Sequence, residues 1–227
     1  MKSRLAISAV LMLAAMSATA LAQDLTIDDF STGHYQSPGY KSGAKHNSLQ
    51  SGSMMGGTRD TNFFVCKTAT DCAAQNPYNQ SSSYGFLPAN GGQPAAMVQT
   101  GGYFAGPRID MGYGYQNPLH ADFTAYQKIR VNFSGLSQPL NFNIQPHSGS
   151  GGPYAQGGCN IQPYAGAFAV ELPLDKFVQT QGFTFTDVVN MDFIFQDGSV
   201  IGAVSFGITS IELSNMTKSG VVIDCHY

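Results

Sequence analysis

The chain contains no tryptophan and only two glutamates, Glu171 and Glu212. Charged residues of every kind make up 11% of it, against about 25% in a typical soluble domain. The basic residues stand singly rather than in clusters, which excludes a polyphosphate-binding stripe and a polybasic membrane helix. Beyond the first 22 residues there is no long apolar run, so no further segment reads as a transmembrane helix of ~20 residues. Long helical periodicity is missing as well. So are the motifs of common enzymes: there is no Gly-x-Ser-x-Gly elbow, no His-Glu-x-x-His and no Gly-x-x-x-x-Gly-Lys loop. The dense glycine run Ser148-Gly149-Ser150-Gly151-Gly152 lacks the strand-to-helix setting of a phosphate cradle.

What is present begins with a leader. Lys2 and Arg4 precede an apolar stretch from Leu5 to Leu13, and Ala20-Leu21-Ala22 offers a small-x-small cleavage pattern. Residues 1–22 read as a signal peptide, so the expected location is secreted or periplasmic, with a mature chain from Gln23. Losing Lys2 and Arg4 moves the formal net charge from -3 to -5, which further disfavours nucleic acid as a partner. The four cysteines, Cys66, Cys72, Cys159 and Cys225, would meet an oxidising space, where an even count predicts two disulfides. Three connectivities are open. The short polar segment between Cys66 and Cys72 favours a local bridge, with Cys159 to Cys225 as the second. A zinc site that recruits a histidine such as His226 is the competing use, and the spacing fits no structural zinc pattern.

The mature chain reads as one domain, 23–227, with long loops at about 31–52 and 67–93. Leu25 and Ile27 alternate with polar residues at its start. Later segments alternate cleanly: Ile129, Val131 and Phe133; Leu140, Phe142 and Ile144; Phe168, Val170 and Leu172; Val189, Met191, Phe193 and Phe195. The last predicted strand runs from Ser205 to Leu213, and Leu174 to Val178 reads as a helical turn. Asp197-Gly198 predicts a hairpin into Val200-Ile201. About nine short strands separated by Gly, Pro and Asn predict an all-β fold, an antiparallel two-sheet β-sandwich of jelly-roll type.

Ile27-Asp28-Asp29-Phe30 resembles the opening strand of galactose-binding-like β-sandwich domains, which include carbohydrate-binding modules. Ser53-Met54-Met55-Gly56-Gly57-Thr58-Arg59-Asp60 is similar to the Met-Gly-Gly strand of the complex I intermediate-associated family. It is also similar to the Gly-Gly-x-Arg-Asp strand of poorly characterised bacterial exported proteins. The order of later elements, from Phe123-Thr124-Ala125-Tyr126 to Ile208–Leu213, extends the likeness over most of the mature chain. The resemblance implies the sandwich more firmly than any one activity, because such folds host many functions.

The resemblance also implies a ligand and a metal. Carbohydrate-binding modules commonly stack sugars on tryptophan, and here tyrosine would have to serve. Tyr78, Tyr84, Tyr113, Tyr115, Tyr154 and Tyr164 lie in Gly/Pro-rich surroundings and are the candidate ligand-binding residues, since tyrosine combines an apolar face with a hydroxyl. Tyrosine is equally ordinary at strand-loop junctions. Domains of this class often hold a structural calcium ion, for which Asp28, Asp29 and Glu212 are the candidate ligands; the alternative is that Asp29 and Glu212 are simply solvent-facing. The leading expectation is a noncatalytic exported protein that binds a glycan or surface polymer through Tyr-rich loops. A self-assembling matrix or envelope protein is the first alternative. The second is a carbohydrate-active hydrolase or lyase, which would need Glu171 and Glu212 to face one groove. His120 with Asp122 is a further pairing on an extended segment.

Overall fold

A computed structural model describes residues 23–41, 45–66, 80–87, 95–101, 107–149, 152–197 and 203–225. The strands, in chain order, are β1 (Leu25–Asp28), β2 (Tyr35–Gln36), β3 (His46–Ser51), β4 (Thr58–Phe64), β5 (Ser83–Leu87), β6 (Ala95–Gln99), β7 (Arg108–Tyr113) and β8 (Lys128–Leu136). They continue with β9 (Leu140–His147), β10 (Ala155–Ile161), β11 (Phe168–Pro173), β12 (Val178–Gln179), β13 (Asn190–Asp197), β14 (Ser205–Ser214) and β15 (Val222–Asp224). The only helical elements among the described residues are 3-10 turns at Met55–Gly57 and Leu174–Lys176.

These strands form two sheets. One has eight strands in the order β15-β11-β8-β14-β6-β5-β2, with β1 also paired to β14. The other has seven, in the order β12-β10-β9-β13-β7-β4-β3. All pairings are antiparallel except β11 with β15. The architecture is the antiparallel two-sheet β-sandwich.

Period-2 alternation builds the core. Val131 on β8 sits opposite Val170 on β11 and Ile211 on β14, and all three are fully buried. On the other sheet Phe142 and Phe195 are cross-strand partners whose rings stack at 4.7 Å. The layers meet through Phe133, which lies edge-on to Phe195 at 6.2 Å. Such offset and edge contacts add to the area that large rings bury.

Where the chain turns from β3 into β4, Gly56 and Gly57 have φ of 75° and 73°. Two successive left-handed residues are tolerated best by glycine, which accounts for the Gly-Gly pair ahead of Arg59. Arg59 itself points into the core and is fully buried. Its Nη1 donates to Asp28 at 2.5 Å and its Nη2 to the Gly33 carbonyl at 3.0 Å, while the guanidinium lies 3.6 Å from the Phe86 ring centre. Tyr113 donates its hydroxyl to the same Asp28 carboxylate at 2.8 Å. One buried charge pair thus ties β1, β4 and β7 together.

Several expectations need correction. The stretch expected as loop over 31–52 contains β2 and β3, and the one expected over 67–93 contains β5. The hairpin expected from Asp197-Gly198 into Val200-Ile201 lies, beyond Asp197, outside the described residues; β13 is flanked by β7 and β9, and β14 belongs to the other sheet. The chain therefore changes layers between Asp197 and Ser205. Cys159 and Cys225 form a disulfide, which fastens β10 in one layer to the segment after β15 in the other. Cys66 is also disulfide-bonded. Its expected partner Cys72, like the leader and Tyr78, lies outside the described residues.

Candidate ligand-binding face

On the outer side of the seven-stranded sheet the alternation that buries Ile109, Met111, Phe193 and Phe195 turns polar residues outward. Register places Asp60 and Asp192 on either side of Gly112, while Asn62 and Ile194 flank Asp110. On β9 and β10 the carboxamides of Asn160, Asn141, Asn143 and Gln156 form a hydrogen-bonded chain, with links of 3.0, 2.6 and 3.1 Å. Arg108 grips Asp110 through two nitrogens, at 2.5 and 2.8 Å.

An aromatic residue lies on this polar face. The Tyr115 ring occupies the space above Gly112: a Cβ there would come within 2.7 Å of Tyr115 Cε2. Glycine at 112 is what lets the ring settle onto the strand. Tyr115 hydrogen-bonds through its hydroxyl to Asp192, yet remains 48% exposed. Beyond Asp192, His147 Nε2 lies 3.8 Å away. The His147 ring in turn meets that of Tyr154, with centres 5.6 Å apart, and Tyr154 is 37% exposed. Tyr115, Asp192, His147 and Tyr154 therefore make a continuous row across β7, β13, β9 and the start of β10.

The carboxylates of this face are partly withdrawn from water. Burial raises the Asp110 pKa against the opposing pull of Arg108. Burial likewise raises that of Asp192, opposed by the hydrogen bond from Tyr115 and by the nearby His147. The Tyr115 hydroxyl is pushed well above its ordinary range by burial and by the negative charge of Asp192. Chemically the row offers acceptors, donors and two accessible ring surfaces.

The tyrosines expected to bind ligand divide three ways. Tyr115 and Tyr154 are on this face. Tyr164 stands 39% exposed beside the end of β8, on the other sheet. Tyr84 and Tyr113 require correction: they are 1% and 0% exposed and belong to the core, where their ring area gains more from burial than it would in a loop. Tyr113 is in phase with Ile109 and Met111, and Tyr84 with Phe86.

The carboxylates expected to hold calcium have other partners. Asp28 is bound by Arg59, Tyr113 and the Phe30 amide. Asp29 accepts from the amide and hydroxyl of Ser31. Glu212 accepts from Asn132, Ser210 and Arg130. Among the described residues no three His, Cys, Asp or Glu side chains group as a metal site.

Glu171 and Glu212 both lie on the outer side of the eight-stranded sheet, flanking Arg130 in register. Arg130 Nε donates to Glu171 at 2.8 Å and Lys128 donates to it at 2.5 Å. Cations thus hold the two glutamates in a structural row. His120 pairs with Asp187 at 3.0 Å rather than with Asp122, which accepts from Thr124.

The solved structures similar to this chain are mainly carbohydrate-binding modules with a β-sandwich fold. One is the family 11 carbohydrate-binding module of the cellulosomal cellulase Lic26A-Cel5E of Clostridium thermocellum. It is 13% identical, with a TM-score of 0.41, over 90% of this chain and 98% of that one. A carbohydrate-binding module specific for non-crystalline cellulose is 13% identical, with a TM-score of 0.38, over 59% and 80% of the two chains. An exo-β-agarase is 9% identical, with a TM-score of 0.39, over 61% of this chain and 23% of its own, so the chain spans about a quarter of that protein. No protein-family model and no curated protein matches the chain. Among the described residues no helix is long and apolar enough to cross a membrane.

Proposed function

We propose that the chain is an exported, noncatalytic glycan-binding protein whose ligand lies across the outer face of the seven-stranded sheet. The observation that carries this reading is the row Tyr115–Asp192–His147–Tyr154. A sugar ring has an apolar C–H face and a rim of hydroxyls. Tyr115 and Tyr154 offer rings for the first, and Asp192, His147 and the neighbouring carboxamides offer partners for the second. Three acidic side chains, Asp60, Asp110 and Asp192, against Arg108 and Lys45, which both lie over the Phe64 ring on the same face, give it a small negative excess that favours an uncharged chain over uronates or sulfated polymers. The recognition is thus by a strand face, with Tyr115 and Tyr154 at its loop ends.

Affinity electrophoresis against neutral polysaccharides, with alginate as the polyanionic control, tests this. Retardation by at least one neutral polymer, lost in a Tyr115→Ala/Tyr154→Ala double variant that still melts cooperatively, is expected. Equal retardation of the double variant, or preference for alginate, overturns the reading. Export is tested separately: the N-terminal sequence of protein recovered outside the cytoplasm should begin near Gln23.

A further inference from the structure

The eight-stranded sheet carries a depression of its own on the side facing away from the core. It has a volume of about 600 Å³ and is lined by Ser134, Gly135, Tyr164, Ser205 and Gly207, with Met97 among its walls. A smaller one of about 190 Å³ adjoins it, sharing Met97 and Ser205 and continuing past Gln36, Ser83, Gly85 and Gln99. Together they form one groove crossing β8, β14, β6 and β5 to β2. Its size lies within the range of ordinary ligand sites.

Three glycines keep the groove low. At Gly207 a Cβ would come within 2.3 Å of Ser134 Oγ and 2.8 Å of Met97 Sδ, so these side chains lie across the strand where a larger residue would lift them. At Gly85 the Gln36 carboxamide does the same, 2.7 Å from where a Cβ would be. Gly135 is open, with nothing nearer than 3.5 Å to a Cβ. No charged side chain lines either part among the described residues. Tyr164 stands at one end and Met97, 42% exposed, in the middle.

We infer that this groove is a second glycan site, on the opposite sheet, which makes the protein bivalent toward an uncharged polysaccharide. The inference rests on the glycan-binding reading above. Hydroxyls and carboxamides without charge match a neutral, hydrogen-bonding ligand, and the Tyr164 ring and Met97 thioether match its apolar faces. An extended peptide fits less well. β14, β6 and β5 are interior strands whose backbone groups already pair on both sides, so a peptide would find no open ladder to join. Two sites on opposite layers would cross-link polymer chains and raise avidity well above either site alone.

Calorimetric titration of the mature chain with neutral hexasaccharides of mixed-linked β-glucan, β-mannan and agarose tests the inference. Two binding events per chain are expected for at least one of them. Tyr164→Ala and Gly135→Phe should each weaken one event at least tenfold, and Tyr115→Ala the other. Gly135→Phe fills the groove, whereas Tyr164→Ala only truncates and needs no new space; melting curves confirm that both fold. A single event that Tyr115→Ala removes and the two groove variants leave intact overturns the second site and leaves the first standing. A single event with the opposite response overturns the first and leaves the groove. No binding to any hexasaccharide overturns both.

Discussion

The outer faces of the two sheets are made of the same kinds of polar residue and end in opposite electrostatic states. Around β11, β8 and β14 the eight-stranded face is closed on itself. Arg130, 2% exposed, lies between Glu171 and Glu212 and also bonds Asp24 and the Met216 carbonyl, while Lys128 and Lys218 flank the carboxylates. On the seven-stranded face Asp192 meets, among the described residues, a tyrosine hydroxyl and a histidine, and its pKa is raised by burial. A polar side chain whose bonds are satisfied within the protein contributes to stability; one left short of partners contributes to recognition. Composition does not distinguish them, since pairing is decided by register.

The sharpest way to break this contrast is Arg130→Ala. It takes away one of the two cations on buried Glu171, leaving Lys128, and the loss should be about 3 kcal/mol in a denaturant melt. Binding by the folded fraction should be unchanged. The converse, Tyr115→Ala, should leave the melt within about 0.5 kcal/mol. It should cost about 1.4 kcal/mol of glycan affinity or more, a tenfold loss, in a titration.

Gly112→Ala probes the same ring indirectly. The new methyl must displace Tyr115, so affinity should fall while stability shifts by about 1 kcal/mol or less. Asp192→Asn gives the smallest effect, and its sign is diagnostic. Because the folded carboxyl has a raised pKa, the charged form is disfavoured by folding, so the ionised side chain costs stability above its folded pKa. The variant should melt slightly higher at neutral pH, with the advantage vanishing as pH falls toward the ordinary aspartate value of about 3.9. Melting curves at several pH values read this directly.

The fold was legible wherever one side of a strand is apolar. Ile129, Val131 and Phe133 disclose β8 because their period of two has no competing explanation. β3 is missed because His46–Ser51 is an edge strand with one apolar residue, Leu49, that faces outward at 54% exposure. Arg59 and Arg130 also escape such reading: Arg59 takes the inward phase of β4 because Asp28 meets it from β1, and Arg130, on the outer phase of β8, is buried by partners from β11 and β14, far along the chain. Tyr113 was readable in principle, since its spacing from Met111 puts it inside. Tyr115 was singled out on composition, but the feature that makes it a platform, the bare backbone at Gly112, depends on how the loop after β7 folds back.

The pairing of β1 with β14 has a consequence for how the molecule is made. Leu25 and Thr26 align with Leu213 and Glu212, so the opening strand waits for almost the entire chain before its hydrogen bonds can form. A nascent chain that has not yet delivered β14 leaves β1, β6 and β8 each with a bare edge, which is an invitation to mispairing. Closure of this seam is then the late, slow event of maturation, and a protease arriving before it should find the amino-terminal segment loose.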